Sequence, residues 1–185
     1  MDSPIRVTGS RLLHQGRLMR LRLDNVILPR GTEDVYEYAE IKNGSTTLAV
    51  EDNLDVWLVN EWKYAVGRRS LEAVSGGMEP GETPADTAHR ELREEVGLTA
   101  SELIPMGFVD PFTTMLNCQN HLFLARGLAS VPHDHEEGEL IEIVRMPLAE
   151  AVEKTLSGEI THAASAVAIL KASAYLAGGG SATNR

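Results

Sequence analysis

The sequence predicts a mixed α/β fold, and three observations support this. Short segments that alternate apolar and polar residues, a pattern typical of half-buried strands, lie on both sides of the chain's centre. A single helix with clear start and stop signals is predicted between these strands, over residues 83–97. Two more segments with helical spacing follow, over residues 147–156 and 161–177. We therefore expect strands and helices to pack in layers around a shared core.

The first predicted strands lie at the N-terminal end. Leucines at 18, 21 and 23 alternate with arginines at 20 and 22, and residues 35–41 repeat this period of two after a turn at 29–31. These strands are too few to form a stable unit alone. Residues 46–50 and 55–60 predict a hairpin around the turn residues 51–53. Further strands are predicted at 104–109 and 121–128.

The central helix has recognisable signals at both ends. Thr83 is a suitable N-cap, with Asp86 three residues later as its acidic partner, and Pro84 occupies the first helical position. Gly97 supplies the left-handed residue that commonly follows the last turn of a helix. No glycine or proline interrupts the residues between them, so the sequence predicts one continuous helix.

One side of this helix carries a cluster of carboxylates. Glu91, Glu94 and Glu95 are neighbours on the helix surface, and Arg90 is spaced to pair with Glu94. The glycine-rich segment 75–82 precedes the helix and can bring backbone carbonyl groups towards these side chains. Together they form an all-oxygen set suited to a hard divalent cation such as Mg²⁺. The alternative is a solvated acidic face without a ligand.

The same stretch resembles the signature of a known family. Gly76, then Glu82 after five residues, then the run from Arg90 to Leu98 after seven more, fill every defined position of the Nudix box, G-x5-E-x7-R-E-U-x-E-E-x-G-U, in which U is aliphatic. The chain is therefore identified as similar to the Nudix hydrolases. The resemblance implies an α/β/α sandwich with a mixed central sheet, preceded here by N-terminal antiparallel strands.

Resemblance to the nucleotide-sugar enzymes of this family also implies a domain arrangement. It assigns residues 1–45 to an antiparallel dimerisation subdomain and residues 46–177 to the Nudix domain. Residues 178–185, which begin with three glycines, are expected to form a flexible tail. We therefore expect a homodimer. The alternative is a hairpin that only packs on the core of its own subunit.

Upstream of the box, the sequence is similar to the ADP-ribose pyrophosphatase branch, in which Q-Y-R precedes E-x-P-A-G. Residues 62–64 and 71–76 occupy those places. Trp62 and Tyr64 are candidates for stacking on a base, with ordinary core or interface packing as the alternative. Arg68 and Arg69 are candidates for contacting a phosphate, with simple solvation as the alternative.

Downstream of the box, two segments bear on substrate and catalysis. The loop at 110–120 keeps Pro111 but otherwise departs from the P-S-P-G-F-S-x-E pattern of the ADP-ribose enzymes. Since this loop helps to select the substrate in that branch, the resemblance does not fix ADP-ribose as the substrate. By position, the resemblance assigns Glu139 as a metal-site or closing carboxylate and Glu137 as the general base, with Glu136 as a substitute. A solvated acidic loop is the alternative.

Composition restricts the choice of partner. The net charge of −10 argues against nucleic acid or an anionic membrane as the main partner. The single cysteine excludes an internal disulfide and fits a reducing compartment. The N-terminus lacks an apolar signal core, and no run reaches about 18 apolar residues. We expect a cytoplasmic protein.

These observations lead to one functional hypothesis. The chain is expected to hydrolyse a nucleoside diphosphate linked to a sugar-like group, giving a nucleoside monophosphate and a phosphorylated partner. Mg²⁺, with Mn²⁺ as a substitute, would be held by Glu91, Glu95 and the Ser75 carbonyl. Glu94, on the same face, would ligate or position the ion, and Arg90 would hold the cluster in shape. The alternatives are a Nudix hydrolase of a dinucleotide cofactor or coenzyme A derivative, and a non-catalytic nucleotide-binding module.

Overall fold

The structure is a computed structural model that describes residues 3–132 and 141–179. Its strands are β1 (Arg6–Gln15), β2 (Met19–Ile27), β3 (Glu33–Ile41), β4 (Gly44–Val50), β5 (Asp55–Lys63), β6 (Arg68–Gly77), β7 (Leu98–Val109), β8 (Leu116–Asn117), β9 (Asn120–Ser130) and β10 (Glu142–Pro147). Its helices are α1 (Pro84–Val96), α2 (Leu148–Leu156) and α3 (Ala163–Ala177), and a 3-10 turn spans Tyr64–Val66. Within the described ranges, none of the helices has the length and apolar character needed to cross a membrane.

The chain divides into two compact units. The first contains the chain up to Asn43 together with Asp110–Gln119, and the second contains Gly44–Val109 and the chain from Asn120 onwards. In the first unit, β1, β2 and β3 form an antiparallel meander, as the alternating N-terminal segments predicted. The short strand β8 adds to β3 in parallel. The sequence did not predict β8, because a two-residue strand carries no periodic signal.

The second unit is built on a six-stranded mixed sheet in the order β10-β5-β6-β4-β9-β7. Strands β4 and β9 run parallel, and the other neighbours are antiparallel. The predicted hairpin of β4 and β5 exists only next to its turn, where Ala49 pairs with Trp57 and Val50 with Val56. Beyond these two pairs, β6 separates β4 from β5.

Helices cover both faces of this sheet, which confirms the predicted α/β/α sandwich. On one face, Leu92 and Val96 of α1 pack with Val59 and Val74 of the sheet. The opposite face packs against α2 and α3, and its buried cluster includes the helix residue Ile169. Successive residues of a strand point to opposite faces, so β6 supplies side chains to both layers. This strand leads directly into the glycine-rich loop.

The remaining elements agree with the sequence in kind and differ in extent. Strand β7 begins at Leu98, directly after Gly97, the residue that caps the end of α1. This start lies six residues before the predicted one. Helices α2 and α3 begin within two residues of their predicted starts and end at their predicted last residues.

Candidate active site

The loop and helix of the site form as their end signals predicted. Thr83 Oγ1 accepts a hydrogen bond from the Asp86 backbone N–H at 3.2 Å, and the Asp86 carboxylate accepts one from the Thr83 N–H at 2.9 Å. This reciprocal capping box satisfies two of the backbone donors that a helix start leaves open. At the other end, Gly97 is left-handed with φ 63°, and its N–H bonds to the Arg93 carbonyl.

Arg90 connects the loop to the carboxylates of α1. Its Nε donates to Glu82 at 2.7 Å, and its Nη1 lies 2.6 Å from Glu91 and 2.8 Å from Glu94. Its Nη2 donates to the Gly77 carbonyl at 3.0 Å. The predicted pairing of Arg90 with Glu94 is therefore present, and the same guanidinium also fixes the end of β6.

Glu82 has a structural role at the centre of the loop. Besides Arg90, it accepts hydrogen bonds from the Glu79 N–H and the Thr87 hydroxyl, each at 2.8 Å. The Arg90 hydrogen bond is the main reason that the pKa of Glu82 falls to about 2. Glu82 in turn is the main cause of a raised Arg90 pKa. The loop is thus closed by a charged carboxylate at all physiological pH values.

Glu91 and Glu95 are the buried carboxylates of the cluster, with only 9% and 7% of their surface exposed. The Ser75 N–H donates to Glu95 Oε2 at 3.1 Å, which links α1 to β6. Burial, followed by the charge of Glu91, raises the pKa of Glu95 well above its usual range. Two like charges in a dry environment disfavour each other, so a bound cation would stabilise both.

The space beside these two carboxylates depends on Gly76. A Cβ atom built on Gly76 would overlap the Glu91 carboxylate. Glycine is therefore required here because the side chain of any other residue would fill the place that Glu91 occupies. The arrangement leaves carboxylate oxygens from successive turns of α1 facing the backbone at the end of β6.

The described residues do not form a complete metal cage. Among residues 3–132 and 141–179, no group of three or more His, Cys, Asp or Glu side chains is placed to hold a metal ion. This is compatible with Mg²⁺, which usually takes one or two protein carboxylates and completes its shell with water and substrate phosphates. Glu91 and Glu95 with a backbone carbonyl at Ser75 fit that donor set. Arg90 holds both Glu91 and Glu94, whereas Glu95 accepts a hydrogen bond from the Ser75 N–H.

A second polar group, which was not among the residues predicted from the sequence, lies beside this cluster. Lys63 forms an ion pair with Glu61 and lies 3.9 Å from the buried Glu72, and its charge also acts on Glu95. His162, at the start of α3, lies 3.3 Å from Glu72. Lys63 lies between the two aromatic residues singled out in the sequence, so its position was a usable signal. No sequence pattern indicated His162.

The four candidate substrate residues all lie at the β5–β6 connection. Trp62 is 50% exposed and Tyr64 is 93% exposed, so neither belongs to the core. Arg68 donates to the Thr161 hydroxyl at 3.0 Å, whereas Arg69 donates to the Asn60 carbonyl at 2.9 Å. Because consecutive strand residues point to opposite faces, the two arginines do not share one surface.

The three acidic residues of the downstream loop, Glu136, Glu137 and Glu139, lie outside the described residues. Their assignment as general base and closing carboxylate stays a prediction.

The fold, the glycine loop and the glutamate helix define a class of hydrolase, and comparison with known proteins agrees. The model of the NUDIX domain matches residues 43–165, and the chain belongs to the Nudix family. It is a Nudix hydrolase, an enzyme that acts on pyrophosphate bonds. Enzymes of this family generally use divalent metal ions. A second model, described as a nucleoside diphosphate sugar hydrolase N-terminal domain, matches residues 5–39.

Individual relatives extend this similarity over most of the chain. An ADP-ribose pyrophosphatase of Mycobacterium tuberculosis is 33% identical over 173 residues, which cover 92% of this chain and 84% of the relative. An ADP-ribose pyrophosphatase of Bacillus subtilis is 30% identical over 166 residues, or 85% and 86% of the two chains. The crystal structure of an ADP compounds hydrolase superposes with a TM-score of 0.84 at 23% identity, covering 96% and 97%.

Proposed function

We propose that this enzyme is a Mg²⁺-dependent pyrophosphatase of ADP-ribose or another nucleoside diphosphate sugar, with Mn²⁺ as a substitute ion. The observation that carries the proposal is the buried pair Glu91 and Glu95, which faces the backbone at the end of β6. Two relatives named as ADP-ribose pyrophosphatases, each similar over at least 85% of the chain, support the choice of substrate.

In this proposal, the chain's own residues hold and orient the reacting groups. Glu91, Glu95 and the Ser75 carbonyl hold the divalent ion, and Arg90 keeps Glu91 and Glu94 in place through its 2.6 and 2.8 Å contacts. When bound, the ion supplies positive charge that neutralises the diphosphate and activates water. Glu94 lies on the same face of the helix and has a positioning role at the metal site. Its contact with Arg90 supports this role.

The reaction is a hydrolysis at phosphorus. A water oxygen forms a new bond to one phosphorus, and the bond from that phosphorus to the bridging oxygen breaks. The water proton passes to a general base, for which Glu137 stays the candidate and Glu139 and Glu136 the alternatives. With ADP-ribose, the products are AMP and ribose 5-phosphate.

A substrate panel tests this proposal directly. The purified full chain is incubated with ADP-ribose, other nucleoside diphosphate sugars, a dinucleotide cofactor and coenzyme A, with Mg²⁺, with Mn²⁺ or with a chelator. We expect AMP and a sugar phosphate, identified by mass spectrometry, at a kcat/KM for a nucleoside diphosphate sugar at least about tenfold above the other classes, corresponding to about 1.4 kcal/mol. Equal rates with the chelator would contradict the metal dependence.

A second candidate substrate class is a dinucleotide cofactor or a coenzyme A derivative. The loop at 110–120 favours keeping this alternative, because it departs from the ADP-ribose pattern and its residues Asp110–Gln119 form part of the first unit. In the same panel, preferential cleavage of the dinucleotide or of coenzyme A would replace the first proposal.

We further propose that residues 1–45 form a dimerisation subdomain. Support comes from several large apolar side chains that are exposed in the first unit, among them Val7 at 55%, Leu12 at 47% and Val35 at 50%. Several exposed apolar side chains on one small sheet are typical of a protein–protein contact surface. Residues 46–177 are the hydrolase domain in this proposal and 178–185 a tail. A cytoplasmic location stays a prediction.

A further inference from the structure

Strand β6 changes its partner just before the glycine loop. Its first part pairs with β5, ending where Ala73 lies opposite Leu58, and its second part pairs with β4, beginning where Val74 lies opposite Thr47. At the point of change, the Ala73 N–H donates to Ser165 Oγ of α3 at 2.8 Å, in a fully buried position.

A histidine from the same helix start completes this connection. His162 Nδ1 lies 2.8 Å from Ser165 Oγ and 3.3 Å from Glu72 Oε2. Burial lowers the pKa of His162, although the Glu72 charge acts in the other direction. A neutral ring can still donate from Nδ1, so His162 is able to bond to Glu72 without carrying a charge.

The second and third residues after Ala73 lie next to the carboxylate cluster. Ser75 donates its N–H to Glu95 at 3.1 Å, and Gly76 leaves the space that the Glu91 carboxylate occupies. Any sideways shift of β6 at Ala73 would therefore change the distance between the end of the strand and the two buried glutamates.

We propose that Ser165 and His162 are positioning residues of the active site, which act from the start of α3 by fixing β6 where it leaves β5. Their side chains make polar contacts with Ala73, with Glu72 and with each other. Their effect passes through Ala73 and Glu72 to the backbone that contacts Glu95. This inference rests on the proposed function, because it takes Glu91, Glu95 and Ser75 as the metal donors.

The first test measures the strand itself without metal. In Ser165→Ala, the Ala73 amide loses its buried acceptor, so we expect its hydrogen exchange, followed by NMR on the full chain, to accelerate at least about tenfold. Unchanged protection of the Ala73 amide would overturn the proposal.

The second test measures metal affinity. We expect Ser165→Ala and His162→Leu to weaken Mn²⁺ binding, measured by EPR titration without substrate, by about tenfold, the size typical of groups that support metal ligands. The metal concentration for half-maximal hydrolysis should rise by the same factor, while the rate at saturating metal stays within about twofold. His162→Asn places a polar atom near Nδ1 and should restore most of the affinity.

Matched variants separate this proposal from general destabilisation. Thr155→Val removes a partly buried hydrogen bond in α2, which the Thr155 hydroxyl donates to the Ala151 carbonyl at 2.8 Å. This hydrogen bond does not involve β6. It should leave Mn²⁺ affinity within twofold of wild type, and an equal loss in this variant would overturn the proposal. So would His162→Asn behaving like His162→Leu. Should Ser165→Ala not fold, the two His162 variants decide alone.

Failure of the proposed function gives a different result. If Glu95→Gln binds Mn²⁺ as tightly as wild type, the assignment of the metal donors is wrong. If Glu95→Gln loses binding but the Ser165 and His162 variants keep it, only the positioning role is wrong.

Discussion

Arg90 Nε lies 2.7 Å from Glu82 Oε1, so one ion pair joins the glycine-rich loop to the helix that carries the glutamate cluster. The same guanidinium bonds to Glu94 and to the Gly77 carbonyl. The shape of the site therefore depends on contacts within the loop and helix themselves, and substitutions at these residues test that dependence.

Glu95→Gln should remove most of the metal-stimulated activity. The substitution keeps the size of a buried side chain but removes a negative charge from the proposed metal site. We expect metal affinity to fall by at least about 100-fold, because loss of a group that only supports metal ligands already costs about 10- to 100-fold. Mn²⁺ titration and the metal dependence of hydrolysis measure this loss. Glu153→Gln, on the exposed side of α2, is the matched control and should retain both. Full activity of Glu95→Gln at saturating metal would contradict this assignment.

Gly76→Ala should impair the same site through sterics. The new Cβ overlaps the Glu91 carboxylate, so Glu91 must move away from the end of β6. We expect a loss of metal affinity with retained secondary structure by circular dichroism. Gly9→Ala, whose added Cβ meets only an ordinary contact at 3.4 Å, is the matched glycine control. Wild-type metal affinity in Gly76→Ala would show that the close packing at this position is not required.

Glu82→Gln should destabilise the fold in a pH-dependent way. The pKa of Glu82 is lowered to about 2 in the folded state, chiefly by Arg90. A carboxylate with a lowered pKa stabilises the fold fully above its unfolded pKa, near 4.5, and loses this contribution as pH falls towards 2. The difference in free energy of unfolding between wild type and Glu82→Gln should therefore shrink from pH 6 to pH 3, as measured by urea denaturation.

The control for this measurement is Ser157→Ala, which alters a hydroxyl at the end of α2 and no ionisable group. Its offset from wild type should be independent of pH. A constant offset for Glu82→Gln over the same range would exclude the Glu82–Arg90 pair as a source of pH-dependent stability.

Thr83→Ala should weaken the start of α1. It removes the hydroxyl that accepts the Asp86 N–H, and loss of an N-cap typically costs about 1 kcal/mol of stability. Thr83→Ser keeps the hydroxyl and should remain close to wild type in urea denaturation. Equal stability of the alanine and serine variants would mean that the capping hydrogen bond contributes little.

Charged substitutions in the first unit should separate the proposed dimer. Leu12→Glu and Val35→Glu each place a charge at a side chain that is about half exposed, so the cost to the fold should be small while an apolar contact surface is disrupted. We expect light scattering to report a dimer for wild type and a monomer for the double variant. A wild-type monomer at micromolar concentration would contradict the proposal.

The sequence predicted the parts of this molecule that local chemistry determines. Thr83, Pro84 and Gly97 set the limits of α1 through backbone rules that act within one turn, and the i, i+4 spacing placed Arg90 against Glu94. The Nudix box added the family and the sandwich. These features need no long-range information.

The features that sequence reasoning missed depend on contacts between distant residues. The separation of β4 from β5 follows from where β6 is inserted, which no alternation of apolar residues records. Ser165 and His162 lie about ninety residues after the strand that they support. Their side chains look like ordinary helix-start residues until the fold brings them to Ala73 and Glu72.

The exchange of partners along β6 also has a consequence for how such an enzyme can diversify. The connection at Tyr64–Val66 belongs to the part of the strand aligned on β5, whereas the glycine loop belongs to the part aligned on β4. An insertion or deletion confined to the Tyr64–Val66 connection would change the length of that turn without altering the pairs between β6 and β4. New surfaces for recognising the variable half of a substrate can therefore arise at one end of the strand while the hydrolytic apparatus at the other end is inherited intact.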